Sequence, residues 1–158
     1  MSFAIREYVD ADFDVLTTRW HETNLVSYRY NQVQQSHTLA NAQTFFRARV
    51  LPTCRVLVAV RDEQLLGLLA LAAPWIQQLA IFPEHQRCGI GTALLQRARE
   101  ISPDELRLFT FQRNLAGRAF YDQQGFTVVK FGVSPAPELE PDVEYRWTGS
   151  RRLAARNR

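Results

Sequence analysis

The sequence predicts an α+β protein in which about four helices flank a mixed, mostly antiparallel sheet of seven strands. Three observations lead to this class: short apolar runs bounded by turn residues, stretches with helical periodicity, and the order in which the two alternate. That order is one strand and two helices, three strands, and then helix, strand, helix and two strands. A chain of 158 residues with 46% hydrophobic residues can bury a sizeable core.

The first third of the chain is expected to hold one strand and two helices. Residues 4–9 form the strand, and residues 10–12 contain two aspartates that suit the start of a helix. Residues 21–37 show no clean period and indicate a loop or an irregular helix, whereas residues 38–49 again have helical spacing. The residues expected to face inward are Phe13, Leu16, Trp20, Ala42, Phe45 and Phe46.

The remaining strands are predicted from apolar runs and the turns between them. Residues 55–60 and 65–72 flank a polar turn and should form an antiparallel hairpin. Residues 134–141 contain three prolines and should form a loop. The other expected strands are 75–82, 106–111, 126–131 and 143–148.

The most informative stretch is QRCGIGT, residues 86–92, between a predicted strand and a predicted helix. Gly89 and Gly91 allow the backbone to approach a ligand closely. The helix that follows has apolar residues on one face at Ile90, Leu94, Ala98 and Ile101. Because the first N–H groups of a helix are unpaired and carry partial positive charge, this arrangement predicts a site for a phosphate or pyrophosphate.

Two common phosphate-binding loops do not fit these residues. A P-loop has Lys and then Ser or Thr directly after its second glycine, but Gly91 is followed by Thr92 and Ala93. The dinucleotide fingerprint has a third glycine where this chain has Leu94. ATP and NAD are therefore disfavoured, and the remaining pattern is Gln-x-x-Gly-x-Gly, which begins at Gln86.

A second motif lies downstream at residues 114–126, NLAGRAFYDQQGF. Asn114 is a favourable helix N-cap, and Gly125 stands where a glycine commonly ends a helix. Phe120 and Tyr121 lie between them, and in isolation such a pair is typical of the buried face of an amphipathic helix.

The two motifs, in this order and at this separation, resemble the signatures of the GNAT superfamily, the acyl-CoA-dependent N-acyltransferases. The residues that carry the resemblance are Gln86, Gly89, Gly91, Asn114, Phe120, Tyr121, Gly125 and Phe126. It implies a GNAT-type sheet and the transfer of an acetyl group from acetyl-CoA to a primary amine by direct attack in a ternary complex. One departure is Gly117, where the family usually has alanine and where glycine should weaken the helix by about 1 kcal/mol.

The resemblance also implies which residues hold acetyl-CoA. Backbone groups of Leu79, Ala80 and Ile81 should contact the pantetheine arm. The loop N–H groups should hold the pyrophosphate, because fixed backbone dipoles bind an anion without a counter-charge to desolvate. These loop residues are Arg87, Cys88, Gly89, Ile90, Gly91 and Thr92. The other residues expected at the cofactor are Gln86, Asn114 and Phe120, and no metal is expected.

Tyr121 is the catalytic residue that the resemblance implies. A tyrosine hydroxyl, with an ordinary pKa of about 10, stays protonated at pH 7 and can donate a proton to the departing thiolate. No general base is evident, because the strand positions where family members often place Glu or Asp carry Gln77 and Gln78. Either a base such as Glu22 or Glu84 acts through water, or the amine arrives neutral.

The acceptor amine is not identified by the sequence. In the family, residues equivalent to 20–50 cover the acceptor site, and a peptide N-terminus, a lysine, a polyamine, an amino acid and an antibiotic amine all stay open. The aromatic residues that either line this pocket or pack in the core are Trp20, Tyr28, Tyr30 and Phe46. The alternative function is a non-catalytic acyl-CoA-binding regulatory module, which the missing base favours and the retained Tyr121 disfavours.

Composition sets the broad expectations for location and partners. The apolar runs are shorter than the roughly 20 residues of a membrane span, and the N-terminus lacks a secretion signal, so a cytoplasmic protein without a membrane partner is expected. The two cysteines, Cys54 and Cys88, are too few for a disulfide framework and have no metal-ligand spacing.

The net charge of +3 arises from the C-terminal residues 151–158, which contain four arginines and no acid. Without them, 15 basic residues stand against 16 acidic ones, which is not the charge distribution of a nucleic-acid binder. Residues 1–150 are expected to form one domain, with 151–158 as a frayed basic tail. A homodimer is compatible with these features.

Overall fold

The computed structural model describes residues 2–149, so the expected basic tail at 151–158 lies outside the described residues. The strands are β1 (Ala4–Glu7), β2 (Arg55–Arg61), β3 (Gln64–Ala72), β4 (Trp75–Ile81), β5 (Glu105–Phe111), β6 (Thr127–Val133) and β7 (Pro141–Thr148). The helices are α1 (Phe13–Ser27), α2 (Gln32–Ser36), α3 (Leu39–Phe45), α4 (Ile90–Ile101) and α5 (Leu115–Gln123). Five helices therefore stand where about four were expected.

The seven strands form one sheet in the order β1-β2-β3-β4-β5-β7-β6. Neighbouring strands are antiparallel except β4 and β5, which are parallel. The predicted α+β class with a mixed, mostly antiparallel sheet is confirmed. The β2–β3 hairpin closes through Asp62 and Glu63, both with positive φ, as the polar turn at this place predicts.

The front third of the chain is more helical than its sequence predicts. Residues 21–27 continue α1, because Trp20 and Thr23 stay buried on the same face as Phe13. A short helix, α2, then begins at Asn31, whose side chain accepts a hydrogen bond from the Gln34 N–H at 3.0 Å.

One expected inward-facing residue points the other way. Phe45 is 47% exposed, whereas Ala42 and Phe46 are buried as expected. α3 passes into a π-helical turn in which the Leu51 N–H donates to the Phe46 carbonyl at 3.0 Å. Because Phe45 and Phe46 are adjacent on a helix, only one of the two can face the sheet.

The hydrophobic core lies on both faces of the sheet. On one face, α4 and α5 pack on residues of β2, β3, β4, β5 and β7. This cluster includes the buried Leu94 of α4 and Tyr145 of β7. On the other face, α1 and α3 cover residues of β2, β3 and β4, with Leu16 and Phe46 fully buried. Among the described residues this second cluster contains none from β5, β6 or β7. The α1/α3 side of β5, β7 and β6 is therefore open.

No helix among residues 2–149 combines the length and the apolar character needed to cross a lipid bilayer.

Candidate active site

The two parallel strands at the middle of the sheet separate almost as soon as they meet. Trp75 pairs with Arg107, whose N–H donates to the Pro74 carbonyl at 2.8 Å, and this is the single β4–β5 register pair among the described residues. On the other side of β4, the pairing with β3 skips Gln77, which marks a β-bulge. Since a bulge bends and twists its strand, it turns β4 away from β5. A wedge-shaped cleft results, which opens toward the C-terminal ends of both strands.

Hydrogen bonding to β3 determines which groups of β4 face this cleft. The Phe82 N–H donates to the Leu66 carbonyl at 3.0 Å, so the alternating pattern turns the Ala80 backbone toward β3 as well. The backbone groups of Leu79 and Ile81 then face the cleft. Of the three strand residues expected to contact pantetheine, Leu79 and Ile81 thus present backbone groups to the cleft and Ala80 does not.

Residues 86–92 form the loop expected at the open end of the cleft. Gln86 begins the loop and donates from Nε2 to the Ile81 carbonyl at 3.0 Å, which anchors the loop to the end of β4. Arg87 has a φ of 62°, and Gly89 caps α4 with a φ of 81°. No acceptor within residues 2–149 takes a hydrogen bond from the N–H groups of residues 87–92. These donors and the N-terminus of α4 form a concave, electropositive backbone surface.

Glycine stands at the two positions of the loop for different physical reasons. Gly89 is in the left-handed region, and a Cβ there would meet nothing within 4 Å, so the residue is needed for backbone conformation. A Cβ on Gly91 would lie 3.0 Å from Cζ of Phe120, so this glycine admits the phenyl ring. Phe120 therefore packs behind the first turn of α4. The close approach of a ligand to both glycines stays a prediction, and the structure adds a conformational reason for Gly89 and a packing reason for Gly91.

Asn114 fixes the turn between β5 and α5. Its Nδ2 donates to Thr110 Oγ1 at 3.1 Å, and its Oδ1 accepts the Gly117 N–H at 3.2 Å. A Cβ on Gly117 would lie only 2.4 Å from Asn114 Nδ2. The departure from alanine at this position therefore has a local reason, since glycine leaves room for the capping amide.

Tyr121 lies in an aromatic cluster within the core on the α4 and α5 side of the sheet. Its ring centroid is 5.5 Å from that of Phe120, 5.6 Å from Phe126 and 5.8 Å from Tyr145. The side chain is 8% exposed, and burial raises the pKa of the Tyr121 hydroxyl well above its ordinary value. The nearby hydroxyl of Tyr28 raises that pKa further. The hydroxyl is thus protonated across the physiological pH range.

The two weak candidates for a base, Glu22 and Glu84, are both paired with Arg19. Arg19 Nη1 lies 2.9 Å from Glu22 Oε2, and Arg19 Nη2 contacts Glu84. Hydrogen bonds from its own backbone N–H and from Arg19 lower the pKa of Glu84. A carboxylate with a lowered pKa is a poor proton acceptor, which argues against Glu84 as the base. The carboxylate of Glu22 is occupied by its ion pair with Arg19.

A cavity of about 550 Å³ lies on the open side of the sheet. Its lining includes Tyr28 at the end of α1, Phe109 and Phe111 of β5, Lys130 of β6 and Asp142 of β7. We call it the aromatic cavity.

A second cavity, of about 300 Å³, lies where β4 and β5 separate. Its lining is Trp75, Ile76, Gln77 and Phe109. Phe109 stacks on Trp75 with ring centroids 5.3 Å apart and lines both cavities. The aromatic cavity and the cavity at the apex of the cleft therefore adjoin at the ring of Phe109.

Of the four aromatic residues expected either in the acceptor pocket or in the core, two pack in the core and two lie at the aromatic cavity. Trp20 and Phe46 are in the core beneath α1 and α3, with ring centroids 5.6 Å apart. Tyr28 lines the aromatic cavity, and Tyr30 packs beside it under the Arg113 guanidinium, 4.5 Å from the ring centroid.

Sequence reasoning missed Asp142 and Lys130. The available signal was that side chains along β6 and β7 point alternately to the two faces of the sheet. Only the tertiary structure shows that one of these faces is uncovered.

Comparisons with known proteins agree with this geometry. The family model of the GNAT acetyltransferase domain matches residues 52–128, which include both motifs. Apo YjaB from Escherichia coli is 21% identical, with a TM-score of 0.78 over 95% of this chain and 100% of that one. A GCN5-related N-acetyltransferase from Rhodopseudomonas palustris is 18% identical, with a TM-score of 0.80 over 94% of this chain and 96% of that one.

Spermidine N-acetyltransferase from Vibrio cholerae, in complex with CoA and spermine, has the same fold. It is 18% identical, with a TM-score of 0.71 over 96% of this chain and 98% of that one. No curated protein sequence matches the chain significantly. Residues 52–128 thus match a GNAT acetyltransferase domain model, and the fold is the one that these N-acetyltransferase structures have, which confirms the resemblance to the GNAT superfamily.

The packing of Gly117 predicts an unusual response to alanine. In most helices Gly→Ala stabilises by about 1 kcal/mol, but here Gly117→Ala should displace the Asn114 cap and destabilise by about 1 kcal/mol in urea unfolding. In an Asn114→Ala background, where no cap can be displaced, the same substitution should become stabilising. A gain in stability from Gly117→Ala in the wild-type chain would contradict this interpretation.

Proposed function

We propose that this protein is an N-acetyltransferase that transfers the acetyl group of acetyl-CoA to a primary amine by direct attack in a ternary complex. One observation carries the proposal: the cleft between β4 and β5 ends at a loop whose N–H groups, over residues 87–92, have no acceptor among the described residues. A long, flexible ligand with a pyrophosphate fits this shape, because its anionic part meets the N–H groups and its arm follows the unpaired edge of β4.

The fit of acetyl-CoA rests on the chain's own groups. The N–H groups of residues 87–92 would hold the pyrophosphate, with Gln86 anchoring the loop from behind. The cleft-facing backbone groups of Leu79 and Ile81 would pair with the pantetheine amides. Asn114 and Phe120 support the site by packing and capping, since both are already engaged within the protein. When bound, acetyl-CoA supplies the acetyl group as an activated thioester at the apex of the cleft.

Tyr121 is proposed as the general acid. Its ring is held by Phe120, Phe126 and Tyr145, and burial keeps its hydroxyl protonated. As the neutral amine nitrogen bonds to the acetyl carbon and the carbon–sulfur bond breaks, the Tyr121 proton would go to the departing thiolate, so a free thiol is released. The proton that the amine nitrogen loses would return to the Tyr121 oxygen, which restores the hydroxyl.

The same proposal covers the bounds of the domain, its location in the cell and its acceptor. Residues 1–150 form one acetyltransferase domain, in the cytoplasm, that acts on a small-molecule or peptide amine without nucleic acid, membrane or metal. The spermidine N-acetyltransferase of similar fold acts on a polyamine, which supports an amine as acceptor but does not select one.

The first test of this function removes one loop donor. Thr92 is in the first turn of α4, where proline is tolerated, and Thr92→Pro deletes its unpaired N–H. Since a hydrogen bond to a charged group contributes about 1.5–3 kcal/mol, calorimetry should show acetyl-CoA binding weakened by about 10–100-fold.

Thr92→Val is the matched control. Both variants lose the hydroxyl that accepts from Gln124 Nε2 at 3.0 Å, but valine retains the backbone N–H. The valine variant should bind acetyl-CoA nearly as well as the wild type. Equal affinities for the two variants would show that this N–H does not contact the cofactor.

The second test addresses catalysis at Tyr121. Tyr121→Phe keeps the buried ring and removes the proton donor, so kcat for CoA release should fall by about 10²–10⁴-fold with acetyl-CoA affinity little changed. Tyr145→Phe, which removes a hydroxyl that accepts from Arg118 Nε at 3.2 Å in the same cluster, should leave kcat near the wild-type value. An unchanged kcat in Tyr121→Phe would remove Tyr121 from the chemistry.

A further inference from the structure

The aromatic cavity contains a carboxylate that the protein does not use. Asp142 is 8% exposed, and apart from its own backbone N–H no group within residues 2–149 hydrogen-bonds its carboxylate or forms an ion pair with it. Burial raises the pKa of the Asp142 carboxyl, Lys130 of β6 lowers it, and Glu144 of the same strand raises it. A buried carboxylate without a partner is costly, and a bound cation would offset that cost.

A second charge in the same cavity has the opposite sign. Lys130 is exposed and lines the cavity, and no ion pair joins it to Asp142 or to another acid in the described part of the chain. Glu144, its neighbour across the strands, is instead within 3.6 Å of Arg107. The cavity therefore presents one free negative group and one free positive group.

The wall between these charges and the cleft is apolar. Tyr28 packs edge-on against Phe111 with centroids 5.2 Å apart, and Phe109, 53% exposed, continues the wall to the apex. No further charged side chain lines the cavity among the described residues. Methylene groups are the ligand chemistry that suits such a surface.

The strand register gives the separation between Asp142 and the apex. Asp142 lies opposite Phe111, and Glu144 lies opposite Phe109, so Asp142 is two residues further along the strand than the apex residue Phe109. This corresponds to about 7 Å along the strand and about 5 Å across it. A ligand anchored at Asp142 must extend over this distance to place a reacting amine in the cleft.

From these features we infer that the acceptor is an α,ω-diamino acid, held with its α-ammonium at Asp142, its α-carboxylate at Lys130 and its methylene stem along Phe109 and Phe111. The ω-amine then lies at the apex of the cleft, and a stem of three or four methylenes matches the separation. This inference rests on the proposed function and makes Asp142 and Lys130 the residues that determine specificity. A diamine lacks the carboxylate, and a lysine within a peptide lacks the free α-ammonium, so both should bind less well.

Norleucine provides a binding test that does not require turnover. It retains the α-ammonium, the α-carboxylate and the stem of lysine but has no ω-amine. Calorimetry with the full chain should detect norleucine and lysine, and Asp142→Asn should weaken both by about 10–100-fold. Lys130→Gln, at an exposed position, should weaken both while leaving 1,5-diaminopentane unaffected or improved. Glu63→Gln, in the exposed β2–β3 turn, is the matched control and should change nothing.

Turnover separates this inference from the proposed function. With acetyl-CoA, lysine should be acetylated at its ω-nitrogen and favoured in kcat/KM over 1,5-diaminopentane and Nα-acetyl-lysine. One outcome would overturn the inference but leave the function standing. In that outcome the protein binds acetyl-CoA and efficiently acetylates 1,5-diaminopentane or Nα-acetyl-lysine, but it does not bind norleucine. Binding of norleucine without affinity for acetyl-CoA would instead overturn the function. Equal norleucine affinity in the wild type and Asp142→Asn would also overturn the inference.

Discussion

The separation of β4 and β5 after a single pair is the constraint on which the rest of the structure depends. Parallel strands in the middle of a sheet normally pair along their length, because unpaired backbone groups there are costly. Here Trp75 and Arg107 pair once, and the bulge at Gln77 then turns β4 aside. The unpaired edge of β4 is a consequence of that separation, and the unpaired N–H groups of residues 87–92 lie beyond its end, where α4 begins. A ligand that pairs with both supplies the missing hydrogen bonds.

The sheet also separates the two parts of the site. The loop and α4 are reached from the open end of the cleft, whereas the aromatic cavity lies on the side that α1 and α3 leave uncovered. The two regions meet at Phe109. A cofactor and an acceptor can therefore enter from different directions, which is the geometry that direct transfer in a ternary complex requires.

Much of this arrangement could be predicted from the sequence, because it depends on local signals. The Gly89 cap, the Asn114 cap and the hairpin turn at Asp62 and Glu63 are each specified by neighbouring residues. Non-local features could not be predicted. The reason for Gly91 is the ring of Phe120, nearly thirty positions away, and the carboxylate of Asp142 matters only because α1 and α3 do not cover its face of β7.

The central claim is that acetyl-CoA lies between β4 and β5 with its pyrophosphate on the α4 loop. An NMR titration of the labelled protein with acetyl-CoA tests it directly, residue by residue. The largest amide shifts are expected at Leu79, Ile81 and residues 87–92, with the β1–β2 pair unaffected. Saturable shifts confined to other parts of the sheet, or equal shifts of the loop amides with ATP, would contradict the claim.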